Sequence, residues 1–173
     1  MDPLLVANRL PKLAERAMRA AVLTAVEHRR MTPRGLVNEA LIRFERAVGR
    51  VAASGVRPAL LFAERDRIVR ELRGFIDGRL AARLIALRGR DVLAVARDAA
   101  PFDAIVRGKR GGYFAVLFRR LPSDGQRLDV LRRMRRAADA YTATPLAGVI
   151  AYDFATGRTC LLRCGERLES LAA

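Results

Sequence analysis

A chain of 173 residues with 51% hydrophobic content and a mean hydropathy of +0.05 can bury a core and is too apolar for a disordered polyelectrolyte. Its 33 basic residues against 18 acidic ones leave a net charge of +15 and a pI near 11.5, a field that gathers polyanions, of which nucleic acid is the commonest. Two cysteines and one histidine exclude most metal sites, no apolar run reaches the roughly 18 residues of a membrane span, and the N-terminus lacks the basic-then-apolar order of a secretory signal. A cytoplasmic protein with no membrane partner is expected.

Residues 3–30 carry Leu13, Ala17, Met18, Ala21, Val22, Ala25 and Val26 at helical spacing, which predicts an amphipathic helix that Pro11 would kink or restart. His28 falls near its end and reads as a C-terminal helix residue rather than a ligand. Thr32-Pro33 then starts a second helix, with Thr32 as N-cap and a stripe through Val37, Ala40, Leu41, Phe44, Val48 and Val51. Pro58 opens a third, its stripe running from Leu61 through Ile68, Leu72, Phe75, Ile76 and Leu80 to Leu84. Glu64, Arg67, Arg70, Glu71 and Arg73 fall on its other face and are expected to pair at i,i+3 and i,i+4 on a solvated surface. Gly74 and Gly78 weaken its middle, which predicts a bend or the close approach of another helix.

After Arg88-Gly89 the period shortens. Asp91–Ala96, Phe102–Val106 and Tyr113–Phe118 are apolar runs of strand length. The last is apolar at every position and predicts a central strand covered on both sides. The turn Arg107–Gly112 joins the second and third runs as a β-hairpin, with Gly108, Gly111 and Gly112 available for positive φ. A helix follows Pro122-Ser123-Asp124-Gly125, with Leu128, Leu131, Met134, Ala138 and Tyr141 inward and Arg132, Arg133, Arg135 and Arg136 outward. Leu146–Phe154 and Thr159–Cys164 form a second hairpin about Ala155-Thr156-Gly157, and the tail from Glu166 is expected to be helical or loose. Cys160 and Cys164, about 13 Å apart in an extended strand, are too distant for a disulfide and read as buried thiols.

A helix, three strands, a helix and two more strands is the order of the PD-(D/E)XK nuclease core, and the stretch from about Glu64 to Cys164 resembles that superfamily. The resemblance implies an α/β (α+β) chain. Residues 1–57 would be an N-terminal helical extension of two to three helices, and 58–173 an αβββαββ restriction-endonuclease-like core with a mixed central sheet. In the family an Asp ends the second strand, a Glu and a Lys lie two apart on the third, and the carboxylates hold one or two Mg²⁺ ions. Here Pro101-Phe102-Asp103 matches the first motif, while Val116 stands at the Glu position and Phe118 at the Lys position. No Asp or Glu occurs from Ala104 through Ser123, and Glu64 or Glu71 is the candidate for the family's helical acid. One carboxylate is a poor cage for Mg²⁺, so no catalytic residue, metal ligand or cofactor is expected. Asp103 is a vestigial candidate ligand, or, as favoured here, a strand-boundary carboxylate paired with a nearby arginine.

The leading expectation is therefore a non-catalytic, nuclease-like domain that holds a nucleic-acid backbone, DNA ahead of RNA, through an arginine-rich face. Lys109 and Arg110 cap the hairpin, Arg119 and Arg120 leave the third strand, and Arg132, Arg133, Arg135 and Arg136 cluster on the helix. One alternative is a protein-interaction or assembly subunit of a larger nucleic-acid-processing or virion complex, associating with itself or a partner through the N-terminal helices. The other is a divergent Mg²⁺-dependent nuclease with ligands such as Asp91, Asp98 and Asp103.

Overall fold

The apolar stripe that begins at Leu10 forms helix α1 (Leu10–His28), followed by α2 (Pro33–Val51) and α3 (Pro58–Ile76). A computed structural model describes residues 9–28, 32–51, 56–87, 91–96, 102–119, 121, 124–141, 143, 145–163 and 169–171. The chain divides into two compact units, Met1–Asp77 and Gly78–Ala173.

In the first unit each of the three helices packs against the other two. Pro11 lies in the opening turn of α1, where its missing N–H has no intrahelical acceptor to lose, so it sits at a helix start and causes no kink. Helix α2 starts where the sequence predicts: the Thr32 hydroxyl accepts the Gly35 N–H at 3.1 Å, and Pro33 is the first helical residue. His28 occupies the last turn of α1, its Nδ1 donating to the Thr24 carbonyl at 2.9 Å. Arg43 bonds the Thr24 hydroxyl at 3.1 Å, and Arg65 meets Glu45 at 3.0 Å. Glu45 and Arg65 lie at similar distances from the loop that joins α2 and α3, as antiparallel neighbours require.

Helix α3 departs from expectation in two ways. Glu64, Arg67 and Glu71 were expected on a solvated face, yet their side chains are only 16%, 11% and 7% exposed. The predicted i,i+3 and i,i+4 pairs do form, Arg67 donating to Glu64 and approaching Glu71 at 3.7 Å. The Arg67 guanidinium also donates to the Pro11 carbonyl at 3.1 Å, which brings α1 over this face and encloses it. The second departure is at Gly78. There the chain turns extended (φ −84°, ψ 157°), so the apolar stripe belongs to α3 and a separate short helix α4 (Arg79–Ile85). Gly74 has open space where a Cβ would stand, so no neighbouring helix requires it. The division after Asp77 places Pro58–Ile76 with the N-terminal helices, not with the 58–173 core that the element order suggested.

The second unit continues from α4 through β1 (Val92–Val95), β2 (Ala104–Arg107), β3 (Tyr113–Arg119), α5 (Asp124–Tyr141), β4 (Leu146–Asp153), β5 (Arg158–Arg163) and β6 (Glu169–Leu171). The strands form one mixed sheet in chain order. All neighbours are antiparallel except β3 and β4, which are parallel and joined through α5. The tail, expected to be helical or loose, instead pairs Glu169–Leu171 with β5, giving a sixth strand.

Strand β3 is central, with Ala115, Val116, Leu117 and Phe118 all buried. Burying each of the three larger side chains contributes about 1.5–3 kcal/mol. Ala115 and Leu117 face Leu131, Met134 and Ala138 of α5, together with Val149, Ala151, Cys160 and Leu162. Phe114, Val116, Phe118, Gly148, Tyr152, Leu161 and Arg163 alternate onto the other face. Cys160 is a buried free thiol, and Cys164 lies outside the described residues. No described helix is long and apolar enough to cross a membrane.

Candidate nucleic-acid interface

The two ends of β3 carry different chemistry. At its start the chain reverses through Gly108–Gly112, where the Gly108 N–H donates to the Gly112 carbonyl at 2.9 Å. Gly111 and Gly112 supply the positive φ, +80° and +70°. Gly108 has no positive φ and is needed for space: a Cβ there would lie 2.6 Å from Cε2 of Phe114. Gly148 is held to glycine by the same ring and by backbone, since its Cβ would lie 3.2 Å from Phe114 Cε1 and 2.6 Å from the Leu162 carbonyl oxygen.

Register then sets three residues in a row across the sheet. Phe114 pairs with Gly148 of β4, and Gly148 pairs with Arg163 of β5. A register shift between Tyr113 and Phe114 leaves Ala147 as the extra residue on β4. Phe114, Ala147 and Arg163 line one open cleft with Lys109 and Arg110 of the hairpin tip, about 620 Å³ in volume. Lys109, Arg110 and Arg163 are exposed, Phe114 is half-buried, and among the described residues no carboxylate lines the cleft.

At the far end of β3 lie two buried carboxylates. Asp103 is fully buried, and its Oδ2 accepts the Phe118 N–H at 2.6 Å. Its own N–H donates to the Val116 carbonyl at 2.7 Å, and its carbonyl accepts the Ala96 N–H at 2.8 Å, so Asp103 joins β3 to the end of β1. Asp153 is 1% exposed; its Oδ1 accepts the N–H groups of Leu121 (3.2 Å) and Ala155 (3.1 Å), and its Oδ2 accepts the Thr156 hydroxyl at 2.7 Å. It organises the β4–β5 turn, where Gly157 has φ +69°. Val116 and Phe118, at the positions where the resemblance places a Glu and a Lys, are themselves fully buried. Among the described residues no three His, Cys, Asp or Glu side chains gather as a metal site. Glu64 and Glu71, the candidates for a helical acid, are engaged with Arg67 in the first unit. Asp98 lies outside the described residues.

The basic residues singled out from sequence fall into three groups. Lys109 and Arg110 share the cleft, whereas Arg119 ends β3 six residues after Tyr113, roughly 20 Å away at about 3.3 Å per residue. Arg120 lies outside the described residues. On α5, Arg132, Arg133 and Arg136 are exposed on the side away from the sheet. Arg132 is 3.9 Å from Asp129, Arg133 donates to the Asp129 carbonyl at 3.3 Å, and Arg135 pairs with Asp139 at 3.4 Å. These pairs neutralise part of the helical cluster, and the strand separates Arg119 from the hairpin cations.

Arg163 and Phe114 were not foreseen. Gly148 was the available signal, because a glycine inside a strand marks a close approach of another group. Comparison of the chain with protein-family models, with curated proteins and with solved structures finds no match.

Proposed function

We propose that the Gly78–Ala173 unit binds a nucleic-acid backbone without cleaving it, through the cleft at the hairpin tip. One observation carries this reading: Lys109, Arg110 and Arg163 converge on a cleft that no carboxylate lines among the described residues. Cations so placed neutralise phosphates and release counterions, which supplies affinity without reading sequence. The short helix, three strands, helix and further strands of this unit, with the parallel β3–β4 pair, support a nuclease-like core as its ancestry. The enclosed Asp103 and Asp153 support a scaffold whose acids serve the fold. Both are buried, and their hydrogen bonds go to strand and turn groups.

A salt titration tests the proposal. Three phosphate contacts give a slope of log K against log salt of about −2 to −3, and removing one of the three cations makes it shallower by about one. Duplex and single-stranded DNA should both survive incubation with Mg²⁺ or Mn²⁺. A slope near zero overturns backbone binding, and metal-dependent cleavage overturns the non-catalytic part.

A further inference from the structure

Resting on that reading, we propose that the hairpin-tip cleft takes an unpaired nucleotide of a single strand, its base stacked on Phe114 and its phosphates held by Lys109, Arg110 and Arg163. Charge alone would suit any backbone, but the cleft also contains an aromatic ring. Phe114 and Arg163 are both on the same face of the sheet as Gly148 and lie on either side of it. With adjacent strands about 4.8 Å apart, their backbones are roughly 10 Å apart, and the residue between them has no side chain. The row therefore sets a phenyl ring and a guanidinium on either side of a glycine against which the ring edge closes.

The ring is held by its surroundings. A Cβ at Gly108 would meet one of its edges, and a Cβ at Gly148 would meet another, so two backbone segments close on the ring. Gly112 is similarly restricted, since its φ is +70° and a Cβ there would lie 2.9 Å from the Ala147 Cβ. A platform fixed in this way loses little conformational entropy on binding. The cleft's volume of about 620 Å³ falls within the roughly 300–1,000 Å³ of small-ligand sites. Bases in a duplex already stack on their neighbours and present only edges in the grooves. A ring flanked by cations is of use to a base whose face is free, as in single-strand recognition generally.

The test uses the full chain and fluorescence anisotropy with a labelled 12-nucleotide single strand, the same strand made abasic at its central positions, and the matching duplex, all at one salt concentration. The single strand should bind about tenfold more tightly than either the abasic strand or the duplex. Phe114→Leu, which keeps an apolar side chain under Gly108 and Gly148, should remove that advantage, so that the three ligands bind alike. 2-Aminopurine in the strand should be quenched by the wild type and not by Phe114→Leu. The abasic comparison requires no variant and so stands even if Phe114→Leu does not fold. Equal affinity for all three ligands, or an advantage that persists in Phe114→Leu without quenching, overturns the nucleotide pocket and leaves backbone binding standing. Failure to bind any of them overturns both.

Discussion

Asp103 shows how one residue type at one position can serve two quite different chemistries. Near the start of a strand-length run it matches the first motif of a metal-dependent nuclease, and Asp is equally common at strand boundaries. Its carboxylate is fully buried and receives the Phe118 N–H from the neighbouring strand. Asp103→Ala removes that acceptor inside the sheet and is expected to cost about 1–3 kcal/mol. Asp103→Asn keeps a carbonyl oxygen in reach and should cost less. Urea unfolding at unchanged m-value measures both. An alanine variant with the wild-type midpoint would remove Asp103 from the stabilising network and return it to consideration as a ligand. The glycines carry a parallel lesson: Gly111 and Gly112 are present for backbone torsion, whereas Gly108 and Gly148 make room for Phe114.

Among the elements, α3 is the one whose charges were hardest to place. Glu64, Arg67 and Glu71 have the spacing of a solvated, self-pairing surface, and the pairing occurs, but with α1 packed over it. Removing one member of a mostly buried ion network leaves the remaining charges uncompensated. Arg67→Met is expected to destabilise the chain by about 3–5 kcal/mol, and substituting all three residues with apolar ones of similar size should restore most of the loss. Denaturant midpoints of the single and triple variants decide this; a single variant within about 0.5 kcal/mol of wild type would show a pair still solvated. Helix α5 behaves as its pattern predicts, with Leu131, Met134 and Ala138 against the sheet and Arg132, Arg133 and Arg136 outward.

For the molecule as a whole the dominant quantity is a net charge of +15 on 173 residues. Such an excess attracts polyanions and also opposes its own compaction. Raising NaCl from about 10 mM to about 200 mM shortens the screening length to below about 10 Å and should raise Tm by a few degrees. A fall in Tm over that range would mean that the ion pairs, such as Arg65–Glu45 and Arg135–Asp139, outweigh the repulsion. Among the described residues of the second unit, the hairpin cations and Arg119 occupy opposite ends of β3.

Local pattern determined a great deal. Helical spacing located α1, α2 and α5; Thr32-Pro33 set the start of α2; and the alternation and length of the apolar runs located five strands to within two residues. These features were legible because amphipathic period, caps and turn glycines act over a few neighbouring residues. The break at Gly78, the burial of Glu64, Arg67 and Glu71, the pairing of Glu169–Leu171 and the row Phe114–Gly148–Arg163 were decided only by tertiary structure. Each depends on which distant segment covers or pairs with a given face. Parallel register in particular brings together residues far apart in sequence, and no local period records it.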